Sequence, residues 1–78
     1  MSNLDICVQF GQRIRALRLK RKWTQFEMSE RIGLDRSYLA ELETGKIEIC
    51  LRNLALIAQG LDMEPWELLR SPKRDERE

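Results

Sequence analysis

TQFEMSERIGLDRSYLAELETG, residues Thr24 to Gly45, holds two short amphipathic segments on either side of a turn at Gly33-Leu34. Thr24 is a good N-cap, and Glu27 stands three residues later. At that spacing each side chain satisfies the other residue's unpaired backbone N–H. Trp23 precedes the cap and Met28 takes the fourth helical position, so the pair can staple the helix start. Met28 and Ile32 share a face at i and i+4. Gly33 ends this helix, because the left-handed conformation after a last turn is cheapest for glycine. Asp35 then caps a second helix, and Leu34 with Leu39 repeats the staple. Tyr38, Leu39 and Leu42 recur at helical spacing up to a stop at Gly45. Helices of about nine residues are marginal alone in water, so both must pack on each other and on the rest of the chain.

On the N-terminal side the spacing predicts a helix over about Leu4 to Arg21. Cys7, Phe10, Ile14 and Leu17 form one apolar stripe, with Cys7 as a small buried hydrophobe. Gly11 inside this helix costs about 1 kcal/mol relative to alanine, which predicts a close packing contact there. On the C-terminal side, Lys46 to Ile49 connect to a helix over about Leu51 to Gly60, with Leu51, Leu54, Ile57, Ala58 and Leu61 inward. Cys50 stands at its N-cap position, where it caps poorly. Pro65 suits the first position of a last helix carrying Trp66, Leu68 and Leu69. Ser71-Pro72 ends the fold, because the residue before proline is pushed out of the helical region. Residues 1 to 3 are expected to fray and the tail KRDERE to be disordered. No segment alternates with a period of two. The expected fold class is therefore all-α, a compact five-helix bundle over residues 1–70, followed by a charged tail over 71–78.

The chain has 78 residues, the size of one small domain with a limited core. Fourteen basic and 13 acidic residues leave a net charge of +1, so bulk charge does not announce a polyanion partner. Distribution says more. Arg13, Arg15, Arg18, Lys20, Arg21 and Lys22 crowd one stretch with no acid among them. Such a block is either a solvated helix face or a phosphate-facing patch; its place directly before Thr24 favours the patch. The chain has no histidine, which removes the commonest general base and metal ligand. It also lacks clustered carboxylates, a phosphate-cradling glycine loop and metal-ligand spacing, so neither an enzyme nor a cofactor or metal site is expected. Cys7 and Cys50 form no redox or metal motif. Reduced thiols in the cytoplasm are the expectation, since no signal peptide or membrane-length apolar run is seen.

The layout resembles the Cro/C1-type (Xre) helix-turn-helix family. Thr24-Gln25, Ser29, Gly33, Leu34-Asp35-Arg36-Ser37-Tyr38 and Leu42-Glu43-x-Gly45 carry the likeness. Ile14-Arg15-x-Leu17-Arg18 and Leu54-x-x-Ile57-Ala58-x-x-Leu61 extend it from about Phe10 to Leu69. Within the family, the Leu-Asp-Arg-Ser-Tyr run and the small size look like the controller proteins of restriction-modification systems. The resemblance implies a lambda-repressor-like DNA-binding domain. It implies that Ser29 is small to let the two motif helices approach, that Gln25 bonds a backbone phosphate, and that Arg18 pairs with Glu43 to fix the second motif helix.

In a helix-turn-helix the second helix enters the major groove and its leading residues reach base edges. Here those are Arg36, Ser37 and Tyr38, with Ala40 and Glu41 one turn on. Arg36 has the fork to bond guanine O6 and N7 together, and Glu41 can accept from a cytosine amino group. Tyr38 either packs on sugar or thymine methyl or covers the core. Lys46, Arg13 and Arg15 join Gln25 as phosphate contacts. Ile47, Ile49, Trp66 and Leu69 exceed the needs of a small core and suggest a homodimer interface, although Trp66 can equally cap the core. The expected function is sequence-specific regulation of transcription by a dimer on a palindromic operator, with RNA polymerase as a possible further contact. The alternative is an antitoxin-type protein whose main ligand is a partner protein.

Overall fold

The computed structural model describes residues 5–70, and the expected frayed start and charged tail lie outside the described residues. Four α-helices and a closing 3-10 helix follow one another: α1 (Ile6–Lys20), α2 (Gln25–Ile32), α3 (Arg36–Glu43), α4 (Leu51–Leu61) and the 3-10 helix Pro65–Leu69. No strand occurs among the described residues. The all-α class holds, but the fifth α-helix is replaced by a five-residue 3-10 turn. Glu64 and Glu67 cap that turn reciprocally, and Arg70 already has an extended backbone. Too few residues remain between Pro65 and this extension for a stable α-helix.

α2 is closed by its own residues. The Thr24 hydroxyl accepts from the Glu27 N–H at 3.0 Å, and the Glu27 carboxylate accepts from the Thr24 N–H at 2.8 Å. Gly33 takes φ of 87° at the other end and returns its N–H to the Ser29 carbonyl. Before α2 the chain turns at Lys22, a non-glycine residue with φ of 62°. α3 is different: Asp35 occupies the N-cap position, but its side chain makes no capping bond. α4 departs from expectation in the opposite sense. Cys50 does cap it, its Sγ accepting weakly from the Asn53 N–H at 3.5 Å. Its far end runs one residue past Gly60 to Leu61, and left-handed Asp62 closes it.

One core joins these elements. Phe10, Ile14 and Leu17 of α1 meet Met28 and Ile32 of α2, Leu39 and Leu42 of α3, Leu54, Ile57, Ala58 and Leu61 of α4, and Leu68. Trp23 and Leu34 pack on its edge as half-buried residues. Two sequence expectations fail here. Cys7 is only partly buried. Leu51, expected inward, is 82% exposed, because Leu54 and Ile57 already fill the core one turn on. Gly11 shows why α1 tolerates a glycine. A Cβ there would lie 2.4 Å from the Leu42 carbonyl oxygen and 2.7 Å from that of Glu43, so α1 lies directly on the last turn of α3.

Candidate nucleic-acid interface

Helix geometry divides α3 into two faces. Leu39, Leu42 and Glu43 are buried, whereas Arg36, Ser37, Glu41 and Thr44 are exposed with half-buried Ala40 between them. Arg36, Ala40 and Thr44 follow one another at successive turns, flanked by Ser37 and Glu41, so four of the five expected base-contact residues share one outward face. Tyr38 does not belong to it. It is half-buried against the core, and its hydroxyl accepts from Asn53 Nδ2 of α4 at 3.1 Å. Thr44, absent from the expected contact residues, joins this face. The i+4 spacing from Ala40 points to it, and its hydroxyl donates to the Glu41 carbonyl at 2.9 Å.

The angle of α3 is held from behind. Arg18 Nε donates to Glu43 Oε2 at 2.7 Å and Arg18 Nη2 donates to Glu43 Oε1 at 3.0 Å. Arg18 Nη1 donates to the Trp23 carbonyl at 2.8 Å. Both side chains of the pair are buried, 9% and 3% exposed. Gln25, the first residue of α2, donates from Nε2 to Glu43 Oε1 at 3.1 Å. The start of α2 therefore sits beside the end of α3. Ser29 is buried in α2, and its hydroxyl is absorbed locally by the Phe26 carbonyl at 2.7 Å.

The basic residues separate into two groups. Arg15, Lys20, Lys22 and Lys46 are exposed. Arg13 is buried, and its Nη2 donates to the Glu67 carbonyl at 3.0 Å, tying α1 to the closing 3-10 helix. Its guanidinium is spent on the fold, which corrects the expectation that it meets phosphate. Burial first and the nearby Arg70 second lower its pKa, while Glu67 opposes the shift. Arg21 also serves the fold, donating to the Leu61 carbonyl at 2.8 Å. Arg21 and Arg31 lie 5.8 and 4.8 Å from the centroid of the Trp23 ring.

The expected interface residues are split as well. Ile47 and Ile49 are half-buried against the core, and with Ile6, Cys7, Phe10, Glu48 and Leu69 they line an apolar groove beside the start of α1. Trp66 stands outside that groove, 61% exposed, and Leu69 is 57% exposed. Trp66 therefore does not cap the core. Desolvation first, then the carboxylates of Asp5 and Glu48, raise the pKa of the Cys7 thiol and favour its protonated form. Among the described residues no cluster of His, Cys, Asp and Glu could hold a metal ion, and no helix is long and apolar enough to cross a membrane.

Two short helices in tight sequence, the second with a polar outward face braced from behind, define a helix-turn-helix protein. The model of a helix-turn-helix domain family matches residues 11–73, and the chain belongs to that family, in its Cro/C1-type branch. It is similar to the control protein C.MunI of Mycoplasma sp, with 33% identity over 72 residues covering 91% of this chain and 97% of that one. The restriction-modification controller protein C.AhdI from Aeromonas hydrophila superposes with a TM-score of 0.77 at 42% identity, over 80% of this chain and 94% of the other. The biofilm master regulator SinR, solved in complex with DNA, superposes with a TM-score of 0.72 at 27% identity, over 78% and 98% of the two chains. The chain spans 38, 65 and 31% of the length of three longer proteins it also matches.

Proposed function

We propose that this protein is a sequence-specific transcription regulator of the controller type, binding duplex DNA as a homodimer. The outward face of α3 carries this proposal: Arg36, Ser37, Ala40, Glu41 and Thr44 take no part in the core, while the opposite face is locked to α1 and α4. A helix presented this way fits the major groove with its N-terminal residues foremost. Arg36 and Glu41 supply base readout, and Ser37, Ala40 and Thr44 shape the contact. Gln25, Lys46 and Arg15 hold phosphates on either side. The complex of SinR with DNA supports the ligand class, and the match to C.MunI over nearly its whole length supports the regulatory role.

A dimer gives two such helices one turn of DNA apart and so doubles the sequence read. Ile47, Ile49 and Leu69, which share the groove beside α1, and exposed Trp66 supply the apolar contact surface, with Trp66 as a favoured anchor. Light scattering at micromolar protein is expected to show a dimer, and a monomer at that concentration removes this surface from the proposal. Placed beside a promoter, the dimer blocks or recruits RNA polymerase according to the position of its site.

The division of labour is testable in equilibrium binding. Arg36→Ala is expected to cost about 1–3 kcal/mol and to relax the preference at one base position. Gln25→Ala is expected to weaken all duplexes alike. Identical, sequence-independent losses from both changes would contradict the assignment.

A further inference from the structure

The carboxylate of Glu43 stands where a negative charge is poorly placed. It lies in the last turn of α3, against the negative end of the helix dipole, and no basic residue of α3 shares that turn. It is also buried, which adds a desolvation cost that an apolar residue of similar volume would avoid. Three donors nevertheless converge on it. Two come from Arg18 and fix the plane of the carboxylate; the third is the side-chain amide of Gln25.

We infer that Glu43 is a positioning residue for Gln25, holding its amide so that an N–H is presented to a DNA phosphate. This inference rests on the proposed DNA-binding function and deepens it. An ionised carboxylate only accepts hydrogen bonds, so Gln25 must turn its NH2 group, not its carbonyl, toward Glu43. One amide proton is taken by Oε1 at an N···O distance of 3.1 Å, and the same nitrogen carries a second. A phosphate oxygen is likewise acceptor-only, so it needs that second proton. The first turn of α2, with its unpaired backbone N–H groups, is the natural place for such an anion. Arg18 completes the device by bonding the Trp23 carbonyl beside the Thr24 cap, so the end of α3 and the start of α2 move as one piece. The ion pair thereby links the reading helix to the phosphate grip.

A double-mutant cycle tests this with the full chain and fluorescently labelled duplex. Gln25→Ala alone is expected to weaken binding about tenfold on every duplex, the size of one charge-assisted hydrogen bond. Changing Glu43→Leu together with Arg18→Met removes the acceptor without stranding a buried charge, and leaves the Gln25 amide free to rotate. In that background Gln25→Ala is expected to cost less than about twofold. The same tenfold loss in both backgrounds overturns the inference while leaving DNA binding intact. Should that double variant fail to fold, the side-chain amide of Gln25 in 15N-labelled wild-type protein decides the matter without DNA. Slow proton exchange there supports the inference, and exchange as fast as in an exposed glutamine overturns it. A wild-type protein that binds no duplex at low salt would instead sink the proposed function, whatever that amide shows.

Discussion

α2 and α3 have the same length, eight residues each, yet they are held in opposite ways. α2 is closed by its own sequence, with a reciprocal cap at Thr24 and Glu27 and a left-handed glycine at the far end. α3 has neither a side-chain cap bond at its start nor a basic residue at its end. Its geometry comes from elsewhere: the backbone of α1 at Gly11, the Arg18–Glu43 pair, and Asn53 on the Tyr38 hydroxyl. The helix proposed to grip DNA is encoded locally, and the helix proposed to read it is encoded by its neighbours. Such a reading helix can carry polar residues chosen for a ligand rather than for helix stability.

Five substitutions test this contrast. Glu43→Ala leaves the Arg18 guanidinium buried without its carboxylate and is expected to lower stability by about 3–5 kcal/mol. The double change with Arg18→Met is expected to lose less, because no uncompensated charge remains. Equal losses for the single and double changes in thermal melts would remove the pair as a structural brace. Gly11→Ala is expected to cost about 1–3 kcal/mol through overpacking, against the usual gain from alanine in a helix. It should also weaken DNA binding, since the carbonyls it meets belong to the last turn of α3. A variant more stable than wild type would show that α1 and α3 are free to separate there.

Thr24→Ala removes a real cap and is expected to cost about 1 kcal/mol in chemical denaturation. Asp35→Ala occupies the matching position on α3, where no side-chain bond is lost, and should stay within about 0.5 kcal/mol. If Asp35→Ala proved the costlier of the two, α3 would be locally capped after all, and the contrast between the helices would fail.

The same contrast explains what was legible in the chain beforehand. Thr24, Glu27, Met28 and Gly33 act on neighbours three to five positions away, so spacing alone located α2 and its ends. The apolar stripes of α1 and α4 were legible for the same reason. Arg13 was misplaced because its partner, the Glu67 carbonyl, is 54 residues away, and a basic block looks alike whether it faces solvent or a distant carbonyl. Leu51 escapes a sequence reading because periodicity fixes a face but not how far the core extends along it. Tyr38 lay at a boundary between the two faces of α3, and only the position of Asn53 on another helix decides which way it turns. The closing 3-10 helix is not legible as such, because a proline at a helix start says nothing about whether the turns that follow are α or 3-10.

The outward face of α3 is proposed to read bases in a two-fold arrangement. Selection of bound duplexes from a random pool tests it most directly. Enrichment of a palindrome whose half-sites lie about 10–10.5 base pairs apart is expected, with Arg36→Ala erasing the preference at one symmetric pair of positions. A pool that stays unenriched, or an enriched site that Arg36→Ala leaves unchanged, would contradict it.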